Sequence, residues 1–96
     1  MQADYDSIAN AISIAVADDQ HADRSDEVHP RAVVALQDQR PVEVQLLYPD
    51  LGISEPLAAV ADRYGLDYEA LAAAAQSALA APDRVISLEV AARSAA

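Results

Sequence analysis

The chain has 96 residues, a net charge of −10, no cysteine, and arginine at all six of its cationic positions. This length predicts one small domain over residues 1–96, and the acidic charge makes nucleic acid and anionic membranes unlikely partners, because both are bound through cationic side chains. The lack of cysteine excludes disulfides, thiolate nucleophiles and Cys-ligated metals. With an acidic start and no apolar run of about 20 residues, the sequence predicts a cytoplasmic protein outside the membrane.

The composition also predicts a thin hydrophobic core. Alanine makes up 23 of the 96 residues, and neither Phe nor Trp is present. An alanine face buries little apolar area, so each ordered residue contributes little stabilisation. Because domains of this kind often complete their core by association, we expect a homodimer or another homo-oligomer.

The first predicted element is a helix over 4–17. Ile8, Ile12, Ala15 and Val16 recur at helical spacing, and Asp6 or Ser7 can cap the first turn. The following segment, 18–29, is rich in acidic residues and contains a single large apolar side chain. This composition predicts a mobile acidic loop.

The middle of the chain indicates a short helix followed by a strand. Residues 31–38 follow Pro30, which is tolerated in the first turn of a helix. Residues 42–48 alternate apolar and polar side chains after Pro41, the pattern of a half-buried strand. Pro49, Asp50 and Gly52 then indicate a turn over 48–52.

The clearest signal is a helical hairpin at 55–81. Ser54 is expected to cap its first helix, Gly65 to end that helix, and Asp67 to cap the second. Residues 85–91 alternate again and predict a second strand, and 93–96 are expected to form a disordered tail.

Together these elements predict a mainly α domain of the α+β class. We expect three to four helices and a small two-stranded β element formed by 42–48 and 85–91. The alternative is an all-α bundle, which requires 42–48 to be helical.

The segment Leu57–Gln76 resembles a helix-turn-helix motif. It has a small residue at Ala61, glycine four positions later at Gly65, and apolar residues at Val60 and Leu71. The resemblance implies a DNA-binding regulator or antitoxin-like protein with Arg63, Tyr68 and Gln76 as the DNA contacts. However, its second helix exposes carboxylates and alanines, whereas DNA recognition depends on cationic and amide side chains.

No motif in the sequence indicates catalysis, a cofactor or a metal. The two glycines form no phosphate-binding loop, no serine lies in a nucleophile elbow, and the spacing of His21, His29 and the nearby acids matches no metal loop. We therefore expect a non-enzymatic protein-binding or regulatory module whose partner has a basic surface. The candidate partner-binding residues are the acids of the 18–29 segment: Asp18, Asp19, Asp23, Asp26 and Glu27.

Overall fold

The computed structural model describes residues 1–17 and 21–88. In these ranges the protein is a six-stranded antiparallel sheet with two helices. The prediction of a mainly helical domain, and with it the all-α bundle, is therefore wrong. The predicted tail at 93–96 lies outside the described residues.

The sheet is formed by neighbouring hairpins and one late strand. Its spatial order is β3-β4-β5-β2-β1-β6, which places the last strand beside the first. A 3₁₀ turn, Pro49–Leu51, leads from β5 to the two helices, which precede β6. The strands are β1 (Gln2–Asp6), β2 (Ala11–Ala15), β3 (Arg24–His29), β4 (Ala32–Gln37), β5 (Arg40–Leu47) and β6 (Val85–Ser87), and the helices are α1 (Ser54–Tyr64) and α2 (Tyr68–Ala80).

One face of the sheet forms the core with the helices. Residues directly opposite in an antiparallel pair lie on the same face, and the register aligns Ile14 with Val44 and Ile12 with Leu46. These four side chains are fully buried. Burial of an aliphatic side chain of this size stabilises the fold by about 1.5–3 kcal/mol.

Alanine allows the second helix to lie close to this face. Ala74, Ala75 and Ala78 of α2 are fully buried and belong to the same core cluster as Ile12 and Ile14. The larger core side chains of the helices are Leu57, Val60 and Leu71. The alanine-rich core expected from composition is thus completed by a sheet.

Residues 4–17, predicted to be helical, form the β1–β2 hairpin instead. The Asp6 carboxylate accepts hydrogen bonds from the amides of Ile8 and Ala9, and Asn10 adopts a left-handed conformation with φ 54°. Polar side chains therefore make this turn without glycine or proline. Ile8 lies in the turn and Ile12 lies in β2. The four-residue spacing of Ile8, Ile12 and Val16, which predicted a helix, is therefore not the spacing of one element.

The predicted helix at 31–38 is strand β4. Its buried residues alternate, at Ala32, Val34 and Leu36, and a turn with positive φ at Asp38 and Gln39 joins it to β5. Half of the segment predicted as an acidic loop, 24–29, is the edge strand β3. Because an edge strand is paired on one side only, it can carry many polar side chains.

The helical hairpin is present, but its surroundings differ from the prediction. Gly65 ends α1 in a left-handed conformation, and the Asp67 carboxylate caps α2 as expected, whereas α1 begins at Ser54 with Ile53 at the cap position. The predicted strands β5 and β6 do not pair with each other, because β2 and β1 lie between them. Both helices cover a sheet, so the helix-turn-helix resemblance of 57–76 is not matched by a three-helix core.

The helices are short. Among the described residues, neither reaches the length and apolar character that a membrane-spanning helix requires.

Candidate functional site

Of the predicted partner-binding acids, the three that the structure describes lie in different surroundings. Asp23 accepts a hydrogen bond from the amide of Asp38, which fastens the start of β3 to the β4–β5 turn. Asp26 lies on the helix-covered face, and Glu27 lies on the opposite face of the same strand. Asp18 and Asp19 lie outside the described residues.

Asp26 has a structural partner in the first helix. The Tyr64 hydroxyl donates to its carboxylate at 2.5 Å, and Arg63 Nε lies 3.5 Å from the same oxygen. The hydrogen bond to Asp26 is the main reason why the pKa of Tyr64 is raised above its ordinary value. Asp26 thus supplies an inward charge on an edge strand, a feature that discourages pairing with another sheet.

The residues expected to contact DNA lie on both helices of the hairpin. Arg63 is occupied with Asp26, Tyr68 packs partly buried against the core, and Gln76 is exposed on α2. The described residues contain no three-helix core that would present α2 as a reading element.

The opposite face of the sheet carries the acidic character of the protein. Among the described residues no helix packs on this face, since both helices share the core of the inner face. We call it the open face. Register and alternation assign to it the carboxylates Asp4, Asp6, Glu27 and Glu43, together with Ser13, Ala15, Val33, Ala35, Gln45, Leu47 and Val85.

Charge on the open face is strongly unbalanced. Arg40, opposite Gln37 at one end of the sheet, is the one arginine that the register of the described strands places there. The open face therefore carries four carboxylates and one guanidinium. The central strand β2 contributes only small residues to this face; Ala11 is buried, whereas Ser13 and Ala15 are partly exposed and leave the backbone open to a partner.

At the other end of the sheet, Arg31 holds the connection between β5 and α1. Its Nη1 donates to the carbonyl oxygens of Tyr48 and Gly52, both at 2.9 Å, and more weakly to that of Leu47. One guanidinium thus satisfies carbonyl groups on both sides of the 3₁₀ turn. The turn at 48–52 predicted from the sequence is confirmed.

Tyr48 is in an unusual backbone conformation. Its φ of 49° and ψ of 59° are left-handed, a conformation that costs an L-residue about 1–2 kcal/mol. The other positive-φ residues besides glycine are Asn10, Asp38, Gln39 and Asp83, whose side chains are polar. For a bulky residue this conformation is a true outlier, and outliers of this kind concentrate at functional sites.

Three exposed apolar side chains belong to two neighbouring turns at this end of the sheet. Ile8 at the tip of the β1–β2 turn is 96% exposed, Leu51 is 68% exposed and Tyr48 is 52% exposed. We call these three residues the turn patch. Sequence analysis missed it, because Ile8 was assigned to a helix face; the signal available was the turn formed by Pro49, Asp50 and Gly52.

Hydrogen bonds join the two turns that carry the patch. The Asn10 carbonyl accepts from the Tyr48 amide at 2.9 Å, and Asn10 Nδ2 donates to Asp50 Oδ1 at 2.8 Å. Ser7 donates through its amide and its hydroxyl to the Asp83 carboxylate, and these bonds lower the pKa of Asp83. The two turns that carry the patch are therefore fixed against each other, and the Ser7 bonds fix the β1–β2 turn to the segment that precedes β6.

His29 lies close to the same connection. Its Nε2 lies 3.0 Å from Glu55 Oε1, and its Nδ1 accepts the Arg31 amide, which assigns the neutral ring proton to Nε2. The hydrogen bond with His29 is the main cause of the lowered pKa of Glu55. His29 thus supports the backbone of Arg31.

No arrangement for metal binding occurs in the described ranges. No group of three or more His, Asp or Glu residues there could hold an ion, and His21 is exposed. A shallow pocket of about 440 Å³ lies at the far end of the sheet, lined by Ala17, Gln37, Asp38, Arg40, Pro41 and Val42. Arg40 is its one cation, and no nucleophile or acid–base pair accompanies it.

Comparison of the chain with protein-family models, curated proteins and solved structures finds no match.

Proposed function

We propose that the protein is a non-enzymatic binding module that recognises a basic partner protein through the open face of its sheet. The observation that carries the proposal is the charge of this face, where Asp4, Glu27 and Glu43 lie among small, polar and a few apolar side chains. Carboxylates on a surface attract cationic partners and accelerate their association.

The charge also bears on self-association. Two open faces packed together would bring like carboxylates into contact, which costs free energy. A basic partner is therefore the proposed occupant, and a second copy of the chain is an outcome that the test must separate from it. The homodimer and the cytoplasmic location expected from the sequence stay predictions.

Binding of a dye-labelled hexa-arginine peptide, followed by fluorescence anisotropy, tests the proposal. We expect the affinity to fall steeply as salt rises from low to physiological concentration, because the contacts are exposed charges. The double variant Asp4→Asn, Glu43→Gln should bind about fivefold more weakly, since each exposed pair contributes up to about 1 kcal/mol.

The matched control is Asp62→Asn, Glu69→Gln, which removes the same charge from exposed positions of α1 and α2. We expect it to change the affinity by less than about twofold. Equal loss in both double variants would show that net charge alone attracts the peptide, and would contradict a binding face. Light scattering that shows a dimer which hexa-arginine does not dissociate would indicate that a second copy of the chain, and not a basic partner, occupies the open face.

A further inference from the structure

We propose that the turn patch, formed by Ile8, Tyr48 and Leu51, binds an apolar side chain within a basic segment of the partner protein. This inference rests on the proposed function and adds to it a determinant of specificity. The carboxylates of the open face attract the partner, and the patch selects a partner that carries an apolar residue among its cations.

The first argument is exposure. Val85 on β6 is the remaining large apolar residue of the described chain that is similarly exposed, so most such residues are gathered at the turn patch. Single exposed apolar residues are normal on protein surfaces, whereas a group of them marks an interaction site. Ile8 at 96% exposure makes almost no contribution to the core of the free protein.

The second argument is that the patch is already in position. Asn10 binds Tyr48 through its backbone and Asp50 through its side chain, and Arg31 fixes the Tyr48 carbonyl. A partner would thus have little backbone to order on binding. Surfaces organised in advance bind more tightly for the same buried area.

The third argument is the identity of residue 48. The left-handed conformation there suits glycine or asparagine, and the turn itself has no need for an aromatic ring. About half of Tyr48 is nevertheless exposed. A strained aromatic residue that faces solvent is explained by contact with a partner, because tyrosine combines apolar area with a polar tip.

The charge around the patch identifies the occupant. The carboxylates of Asp6 and Asp50, at the two turns that carry it, outnumber the nearby guanidinium of Arg31, which donates to carbonyl oxygens. Asp6 also continues the row of carboxylates on the open face, directly opposite Ala11 of β2. A purely apolar partner would leave these carboxylates facing it, whereas a basic segment would pair with them.

Two peptides test the inference: hexa-arginine, and the same peptide with one leucine inserted at its centre. We expect the leucine peptide to bind about tenfold more tightly, the gain that partial burial of a leucine side chain supplies. The variants Ile8→Ser and Leu51→Ser should abolish most of this gain while leaving the affinity for hexa-arginine unchanged. Both residues are exposed, so both variants should fold.

Val85→Ser is the matched control, because it removes an exposed apolar residue that lies on the open face opposite Asp4 but outside the patch. It should retain the full gain from leucine. Equal affinity of the two peptides for the unmodified protein, or equal loss in the Val85 variant, would overturn the inference. A third outcome separates the two proposals. If hexa-arginine does not bind, but the leucine peptide binds and Ile8→Ser abolishes that binding, the proposed function is overturned and the inference about the patch is supported.

Discussion

The two faces of the sheet are built from alternate residues of the same strands, yet they have opposite properties. In β5, Val44 and Leu46 are fully buried under the helices, whereas Glu43 and Gln45 between them are exposed. Stability therefore depends on one set of side chains, and the other set is free to carry charge. This separation explains how a chain with net charge −10 keeps a dry core.

The largest expected effect comes from the buried set. Leu46→Ala should lower the free energy of unfolding by about 2–5 kcal/mol, because it leaves a cavity in a core where few other large side chains can close it. Urea unfolding followed by circular dichroism measures the change. Gln45→Ala, one residue away on the open face, should change stability by less than about 0.5 kcal/mol. Similar losses in both variants would contradict the division between the faces.

The next effect concerns the connection between β5 and α1. Arg31→Met keeps an unbranched apolar stem but removes the donors to Tyr48 and Gly52, so we expect a loss of about 1–3 kcal/mol. The amides of Leu51 and Gly52 should exchange faster with solvent in this variant. Unchanged exchange at both amides would show that Arg31 does not hold the 3₁₀ turn.

A smaller effect is expected where Asp26, on the inner face of β3, accepts a hydrogen bond from Tyr64 of α1. Tyr64→Phe removes the hydrogen bond to Asp26 and should cost about 0.5–1.5 kcal/mol. Because the pKa of the Tyr64 phenol is raised in the folded protein, its contribution is complete below pH 10 and is lost as pH rises through the folded pKa.

Ultraviolet absorbance during alkaline titration measures this ionisation. Asp26→Ala should return the Tyr64 midpoint toward the ordinary tyrosine value, since Asp26 is the main cause of the shift. A midpoint that stays the same in Asp26→Ala would contradict the assigned hydrogen bond.

The smallest effect on stability is expected at Tyr48, where a variant distinguishes a role in the fold from a role in binding a partner. Tyr48→Gly relieves a left-handed conformation but adds freedom to the unfolded chain, so the free energy of unfolding should be unchanged or raised by up to about 1 kcal/mol. The same variant should lose the gain from leucine in the peptide assay. A clear loss of stability would show that the tyrosine serves the fold rather than a partner.

The parts of the fold predicted correctly are those marked by specific local chemistry. Gly65 and Asp67 define the turn between α1 and α2, and the alternation after Pro41 indicates β5. Strand β4 was missed because its open face also carries apolar residues, Val33 and Ala35, which hides the period of two.

The candidate site was less predictable than the fold. The carboxylates of the open face lie on three strands, and two of those strands were predicted as helix or loop. Their shared face is defined only by the register of the hairpins. Tyrosine does not by itself predict the left-handed backbone of residue 48, because the residues that indicate the turn are Pro49 and Gly52.

The most direct test of the central claim is to map hexa-arginine binding by amide NMR. The account predicts chemical-shift changes at Asp4, Ser13, Glu43 and Gln45 on the open face, with little change at the exposed helix positions Asp62, Glu69 and Gln76. Changes concentrated on α1 and α2, with the open face unaffected, would contradict the account.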